Sequence, residues 1–271
     1  MQNSFITEEQ YDALQQLVKK CMGIMLAAGS VEEIDGGIEV KPGDANFVTV
    51  FDKKVQDTAI NGLKEIYPDA VFFAEEKQNS ADDIFSQRCF VIDPIDGTTN
   101  FIHDYKGSSL SIAMLKNGVP VMGIIANPYK NEIFTAFKGC GAYLNGKKIS
   151  VADRPLDKAL FAFGASPYNK ATLGDKGFKL AHKIFMRTAD IRRSGSAAID
   201  LADVACGRLD AFFECLLSPW DFAAGAVLIT EAGGILTDFE GNAPDFTHPT
   251  PVLCANKTLH KEFLDIIQKE F

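Results

Sequence analysis

The segment Val91–Asn100, VIDPIDGTTN, constrains the fold of this chain more than any other part of its sequence. An apolar strand end there delivers two carboxylates, Asp93 and Asp96, only three residues apart. Pro94 lies between them with a fixed φ and no N–H, so we expect a turn that holds both carboxylates on one side. The alternative is an Asx-type turn, in which the two acids only cap a helix or accept hydrogen bonds from local amides.

The residues that follow suit a phosphate. Gly97 permits tight backbone geometry, and amide N–H groups together with the hydroxyls of Thr98 and Thr99 can meet phosphate oxygens. The segment therefore predicts a site that combines a metal with a phosphate group.

Composition favours a folded protein that acts on small molecules. The 271 residues are 46% hydrophobic, enough for one large compact domain or two small ones with a shared core. The net charge of −9 argues against generic nucleic-acid binding, which depends on basic patches, and an acidic chain with an anionic substrate needs divalent cations to offset the repulsion. The longest apolar runs are far shorter than the roughly 20 residues of a membrane span, and the polar start resembles no signal peptide. We expect a cytoplasmic protein that does not associate with membranes.

Helical and strand patterns alternate along the chain. A capping box of Thr7 and Gln10 opens a helix that runs to Leu26, and a second helical pattern follows Asp52 and stops near Pro68. Further helices are predicted at Ala197–Cys206, Phe222–Ala232 and Lys257–Glu270. Strands are predicted at Val71–Phe73, Phe90–Ile92, Ser109–Leu115, Val121–Ala126, Ile133–Phe137, Ala159–Phe163, Ala211–Glu214 and Gly234–Thr237, with a hairpin turn at Lys116–Gly118. We predict an α+β fold, a layered α/β sandwich of helices packed on largely antiparallel sheets.

Three more acidic segments accompany the first. The segment Ser218–Gly225 places Asp221 at the entry of a helix, where by itself it would be a simple N-cap residue. Phe72–Glu76 puts paired acids directly after apolar residues. Lys41–Asp52 is a loop whose last acid is equally suited to capping a helix.

Together these segments resemble the inositol monophosphatase family, within the superfamily of lithium-sensitive phosphatases that includes fructose-1,6-bisphosphatases. DPIDGTTNF is similar to the first signature of the family, and SPWDFAAGA with the later TEAGG to the second. The family usually has glycine where Ala74 stands. The resemblance covers nearly the whole chain and implies one unit over residues 1–271. Its N-terminal α+β half, about 1–150, would carry Glu75, Asp93 and Asp96, and its C-terminal α/β half, about 151–271, would carry Glu214 and Asp221.

The resemblance also implies a role for each matching position. The metal ligands would be Glu75, Asp93, the Ile95 carbonyl, Asp96 and Asp221. The substrate would meet Asp96, Gly97, Thr98, Gly195, Ser196, Ala197 and Glu214. Glu75 and Thr98 would orient and deprotonate the attacking water, and Asp52 would assist from behind. Because the ligands are oxygen atoms and the four histidines and six cysteines show no zinc-type spacing, we expect Mg²⁺ rather than zinc. The resemblance implies two or three Mg²⁺ ions.

For Glu214, an outward-facing strand charge is the main alternative to binding a substrate hydroxyl. Arg192 and Arg193 precede the segment Gly195–Ala197. For both, an ordinary surface cation is the alternative to a role in the site.

The implied activity is Mg²⁺-dependent hydrolysis of a small phosphorylated polyol or sugar, and inositol 1-phosphate is the favoured substrate. Fructose 1,6-bisphosphate, histidinol phosphate and 3′-phosphoadenosine phosphates are the alternatives. The resemblance further implies a homodimer and lithium sensitivity. A regulatory binding protein is the alternative of another class, because some bacterial relatives act with transcription machinery, but it predicts eroded metal ligands or a basic face. Neither is present in the sequence.

Overall fold

A computed structural model of the protein describes residues 5–28, 38–40, 47–165 and 167–270. The predicted loop glycines and proline at 36, 37, 42 and 43 lie outside these residues, as does the first part of the acidic loop that begins at Lys41. Helices in the described part are α1 (Glu8–Leu26), α2 (Val50–Ile66), α3 (Thr98–Ile102), α4 (Asp175–Phe185), α5 (Ala197–Ala205), α6 (Pro219–Glu231) and α7 (Lys257–Glu270).

The strands form two large sheets and one short hairpin. Their bounds are β1 (Ile38–Val40), β2 (Phe47–Thr49), β3 (Val71–Ala74), β4 (Cys89–Asp96), β5 (Ser109–Lys116), β6 (Val119–Asn127), β7 (Glu132–Phe137), β8 (Gly141–Leu144), β9 (Lys147–Ile149), β10 (Leu160–Gly164), β11 (Asp190–Arg192), β12 (Ala211–Leu217), β13 (Ile235–Thr237) and β14 (Thr250–Ala255). The first large sheet has the order β3-β4-β5-β6-β7-β8-β9 and is antiparallel except for the parallel pair β3–β4. The second has the order β11-β10-β12-β14-β13 and is mixed.

Side-chain alternation along the strands explains how the layers stack. In β4, Phe90 and Ile92 pack in the cluster of α1 and α2, whereas Val91 packs on the opposite side with residues of α5 and α6. In β12, Phe212 joins the α5–α6 cluster and Phe213 the cluster of α4 and α7. Because successive strand residues point to opposite faces, each sheet is covered by helices on both sides. The layers therefore run helix, sheet, helix, sheet, helix, which confirms the predicted layered α+β fold.

Local capping signals fix where the first two long helices begin. The Gln10 N–H donates to the Thr7 hydroxyl at 3.2 Å, and the Thr7 N–H donates to the Gln10 side chain at 3.0 Å. Helix α2 begins in the same way, with Thr49 as N-cap and the Asp52 carboxylate accepting from the Thr49 N–H at 2.7 Å. Each box satisfies amide groups that have no partner within the helix.

The predicted elements are present, and several others were missed. The hairpin turn is confirmed, because Asn117 and Gly118 both have positive φ, as a two-residue turn of this type requires. Missed elements in the described chain are β1, β2, β8, β9, β11, β14, α3 and α4. Most are short, and α4 starts after Gly174 without a side-chain cap, so it carries no start signal.

The middle layer of helices joins the two predicted halves. Its apolar cluster contains Val91 and Ala113 from the first half together with Leu201 and Phe222 from the second. This shared core supports the single-unit interpretation, which stays a prediction. All six cysteines are free thiols, four of them buried. Among the described residues, no helix has the length and apolar character needed to cross a bilayer.

Candidate active site

Strand β4 brings its two aspartates to the same side by a β-bulge. Asp93 pairs with Ser111 and Asp96 with Ser109, so three residue steps on β4 oppose two steps on β5. In a regular strand, residues three apart point to opposite faces. One extra residue at Pro94–Ile95 reverses that, so both carboxylates point the same way. The turn that the sequence predicts is therefore a bulge inside a continuing strand, and its effect on the carboxylates is the expected one.

Helix α6 adds a third carboxylate from the second half of the chain. Ser218 caps the helix, and its N–H donates to the Asp221 carboxylate at 2.8 Å. One oxygen each of Asp93, Asp96 and Asp221 lies within 4.8 Å of the other two. The capping role and convergence with the other acids thus coexist at Asp221.

The N-terminus of helix α5 holds Asp96. The carboxylate accepts hydrogen bonds from the Ala198 N–H at 2.9 Å and from the hydroxyl of Ser196, the N-cap residue. Ser109 contributes a longer contact of 3.5 Å. A helix N-terminus favours an anion, and in this structure its donors are used by Asp96, a carboxylate of the chain itself.

Burial and mutual repulsion disfavour the charged form of these acids. Burial raises the pKa of Asp93 well above its usual range, and the charges of Glu75 and Asp96 raise it further. The pKa of Asp221 is raised by burial and by the same two neighbours. Burial lifts the pKa of Asp96 to about 6, although its hydrogen bonds to Ser196 and Ala198 act in the opposite direction. Three converging carboxylates are therefore unstable as anions without a compensating positive charge.

Glu75 follows β3 directly and lines the same cavity as the three aspartates. Ala74, where the family usually has glycine, has no positive φ, and both its N–H and its carbonyl are bonded to the Asn79 side chain, at 2.9 and 2.8 Å. The alanine is therefore accommodated in ordinary strand geometry just before Glu75.

Asp52 lies behind the cavity wall and does not line it. Its side chain is fully buried, and burial raises its pKa to about 6, offset in part by the hydrogen bonds with Thr49. One carboxylate oxygen bonds to Thr49, while the other has no hydrogen-bond partner. The charge of Asp52 adds to the raised pKa of Asp93, so the two groups interact electrostatically.

Gly97 and its neighbours complete the floor of the site. Gly97 has a φ of +85°, and a Cβ there would lie 3.0 Å from the Gly195 carbonyl, so both the backbone geometry and the contact require glycine. The Thr98 hydroxyl donates to the Ile95 carbonyl at 3.2 Å. A carbonyl oxygen has two lone pairs, so this bond leaves one for a further ligand. Asn100 ties the floor to the second half by donating to the Ser194 carbonyl at 2.9 Å.

The cavity above the carboxylates has a volume of about 490 Å³ and extends toward the second half. Glu214 lines it and is only 7% exposed, which excludes an outward-facing strand charge. Gly195, Ser196 and Ala197 line the cavity as well. Arg192 forms a surface ion pair with Asp190 at 2.6 Å, whereas Arg193 lines the cavity.

Among the cavity residues that the sequence analysis missed, three bear on the properties of the site. Asp200 is 3% exposed on α5, and burial raises its pKa well above the usual range. Tyr168 lines the cavity with its side chain partly exposed to solvent. Partial removal from water and the charges of Glu75 and Asp221 raise the pKa of its phenol. Gly164 ends strand β10 at the cavity. None belongs to a recognisable motif, although an acid four residues after the N-cap Ser196 of a helix is a weak signal.

The residues present fit divalent cations. The donors are carboxylate oxygens and a carbonyl, which suit a hard cation such as Mg²⁺. Of the described residues that line the cavity, Arg193 is the one with a cationic side chain, and none is a histidine or a cysteine. A cation bound between the three aspartates would relieve the repulsion that raises their pKa values.

The sequence matches a known family over nearly its whole length. The family model of the inositol monophosphatase family covers residues 6–270. The chain is 37% identical to the inositol-1-monophosphatase of Synechocystis over 226 residues, 83% of this chain and 78% of the relative. It is 40% identical to the Nus factor SuhB of Escherichia coli K12 over 220 residues, 80% of each chain.

The fold agrees with that match. The crystal structure of the extragenic suppressor protein SuhB from Bartonella henselae superposes with a TM-score of 0.86 at 31% identity, covering 96% of this chain and 99% of the other. The fold and the carboxylate site define a phosphatase, which is the class of enzyme that the sequence predicts. The chain belongs to the inositol monophosphatase family.

Proposed function

We propose that this protein is a Mg²⁺-dependent phosphatase that hydrolyses a small phosphate monoester, with inositol 1-phosphate as the first candidate. One observation carries the proposal: carboxylate oxygens of Asp93, Asp96 and Asp221 lie within 4.8 Å of one another on the floor of a cavity of about 490 Å³. The cavity has room for a phosphate group and a small alcohol. Family membership supports the same reaction class.

The site residues divide the work between metal, phosphate and alcohol. Glu75, Asp93, the Ile95 carbonyl, Asp96 and Asp221 would hold two or three Mg²⁺ ions. When bound, the ions would neutralise the carboxylates and stabilise negative charge on the phosphoryl oxygens.

Glu75 and the Thr98 hydroxyl would orient the attacking water, and the Glu75 carboxylate would accept its proton. The buried Asp52 would assist from behind the cavity. Gly97 and Thr98 face the phosphate. Four further cavity residues would meet the hydroxyls of the alcohol: Gly195, Ser196, Ala197 and Glu214.

The test is phosphate release from a panel of esters, first with Mg²⁺ and then with a chelator. The panel contains inositol 1-phosphate, fructose 1,6-bisphosphate, histidinol phosphate and 3′-phosphoadenosine 5′-phosphate. Turnover that the chelator abolishes supports the proposal, and the best substrate identifies the branch of the superfamily. Absence of turnover with every ester, in folded protein supplied with Mg²⁺, contradicts it.

The name of the Escherichia coli relative, a Nus factor, favours a second candidate function, which is binding to transcription machinery. The net charge of −9 favours a protein partner over nucleic acid. Titration of the purified protein with RNA polymerase of the same organism, followed by light scattering, tests this. A complex that forms equally with an Asp93→Asn variant would separate binding from the metal site.

We further propose a lithium-sensitive, cytoplasmic homodimer whose two halves fold as one unit. Light scattering would then give twice the 29.5 kDa of one chain. Thermal unfolding would show one transition, and millimolar lithium would inhibit phosphate release. Two separate unfolding transitions would contradict the single unit.

A further inference from the structure

Gly164 lies at the last position of β10, beside Glu214 on the neighbouring parallel strand β12. A Cβ added to Gly164 would fall 1.8 Å from one carboxylate oxygen of Glu214 and 2.6 Å from the other. Heavy atoms do not approach so closely. The Glu214 carboxylate therefore occupies the space that a side chain at position 164 would take.

The backbone does not require glycine here. Gly164 is absent from the described glycines with positive φ, so alanine can adopt its backbone conformation. The three atoms nearest to the added Cβ all belong to the Glu214 carboxylate, which therefore explains glycine at 164.

Other crowded glycines have a different cause. At Gly123 an added Cβ would meet the Ala224 backbone, at Gly225 it would meet Leu201, and at Gly62 it would meet Leu17. These contacts are packing between helices or between a sheet and a helix. Of the described glycines at which an added Cβ would come closer than 3.0 Å to another atom, Gly164 is the one obstructed by a charged side chain.

We infer that Gly164 is a specificity-determining position, because its missing side chain lets the Glu214 carboxylate lie inside the cavity, where it accepts hydrogen bonds from hydroxyls of the substrate alcohol. This inference rests on the proposed function. It adds a requirement on position 164 and predicts selection for phosphate esters of polyhydroxy alcohols over esters that lack hydroxyls.

Other acidic groups lie near the Glu214 carboxylate, because its charge contributes to the raised pKa of both Asp200 and Asp221. A carboxylate displaced toward them meets like charge. A methyl group at 164 pushes the far end of a flexible side chain and leaves the strand backbone in place. The loss therefore falls on recognition of the alcohol more than on folding.

The experiment compares kcat/KM for inositol 1-phosphate and for phenyl phosphate in the Mg²⁺-loaded protein. In Gly164→Ala we expect the ratio of the two values to fall about tenfold or more, since hydrogen bonds to a charged group are lost. Gly177→Ala is the matched control, because its Cβ would meet only the Cys215 sulfur at an ordinary 3.6 Å. It should leave the ratio unchanged.

A double-mutant cycle ties the effect to Glu214. In a Glu214→Ala background the carboxylate beside Gly164 is gone, so adding Gly164→Ala should leave the ratio unchanged and should not lower the melting temperature. If Gly164→Ala alone is too unstable to assay, recovery of its melting temperature in the double variant supports the inference.

Two results overturn the inference while leaving the proposed function intact. One is a Gly164→Ala protein that hydrolyses both esters with the wild-type ratio. The other is a double variant in which the effects of Gly164→Ala and Glu214→Ala on the kcat/KM ratio and on the melting temperature simply add. If the wild-type protein releases phosphate from neither ester in a Mg²⁺-dependent way, the proposed function fails first.

Discussion

Replacing Asp93 with asparagine should stabilise the metal-free protein while abolishing its activity. Asp93 is 2% exposed, and its Oδ1 accepts a hydrogen bond from the Ile95 N–H at 3.0 Å. Asparagine keeps that acceptor and has nearly the same shape. What it removes is a buried negative charge among other carboxylates, so the fold gains stability whenever no cation is bound.

The sign of the pH dependence follows from the direction of the pKa shift. The pKa of Asp93 is higher in the folded protein than in the unfolded chain, so the folded state binds the proton more tightly. Stability from this group is present at low pH and is lost as pH rises through the folded pKa. Metal-free wild-type protein should therefore be less stable at pH 8 than at pH 5.

Asp96 sets the scale of the effect, because its pKa rises from 3.8 to about 6 despite several hydrogen bonds to its carboxylate. A shift of about two units corresponds to ~3 kcal/mol, at 1.36 kcal/mol per unit. For Asp93 the direction of the pKa shift is the same. An uncompensated buried charge costs on the order of several kcal/mol, so we expect Asp93→Asn to raise the melting temperature at pH 8 in chelator by roughly 10 °C, with a smaller gain at pH 5.

The assay is thermal unfolding followed by circular dichroism, at pH 5 and pH 8, with chelator and with Mg²⁺. Added Mg²⁺ should raise the melting temperature of the wild type more than that of Asp93→Asn. Asp265→Asn, at an exposed acid of α7, is the control and should match the wild type. A metal-free Asp93→Asn protein no more stable than the wild type at pH 8, or an equal gain at both pH values, would refute the reasoning.

Three further predictions concern single positions. Thr98→Val removes the hydroxyl that lies 3.2 Å from the Ile95 carbonyl oxygen. It should lower kcat about 100-fold and change the melting temperature by only a few degrees. An unchanged kcat would exclude a role of Thr98 in positioning water. Gly23→Ala, in the interior of α1 with no atom within 4 Å of the added Cβ, should stabilise the protein by about 0.5–1 kcal/mol in urea unfolding. Gly123→Ala should instead destabilise it by about 1–3 kcal/mol, because the added Cβ would lie 2.3 Å from the Ala224 carbonyl oxygen; tolerance of this change would show that α6 shifts freely on the sheet.

The sequence predicted the features whose causes are local. The capping pair Thr7 and Gln10 marks the start of α1, and the pattern after Ser218 marks the entry of α6, because each signal spans only a few residues. The acids were also recognisable in sequence, since their spacing in DPIDGTTNF resembles one family. Short strands such as β9 and β11 were not predicted, because their pairing depends on neighbours contributed by other parts of the chain.

Taken alone, then, the sequence determined the family, the layered fold class, the helix starts and the identity of the acids. Tertiary structure decided how those acids are used: a bulge turns Asp93 and Asp96 to one side, α5 gives its N-terminal donors to Asp96, and β10 leaves an empty position for the Glu214 carboxylate. The physical reason is distance along the chain. Capping and turn preferences act within a few residues, whereas burial, mutual repulsion and shared space arise only when segments a hundred residues apart pack together.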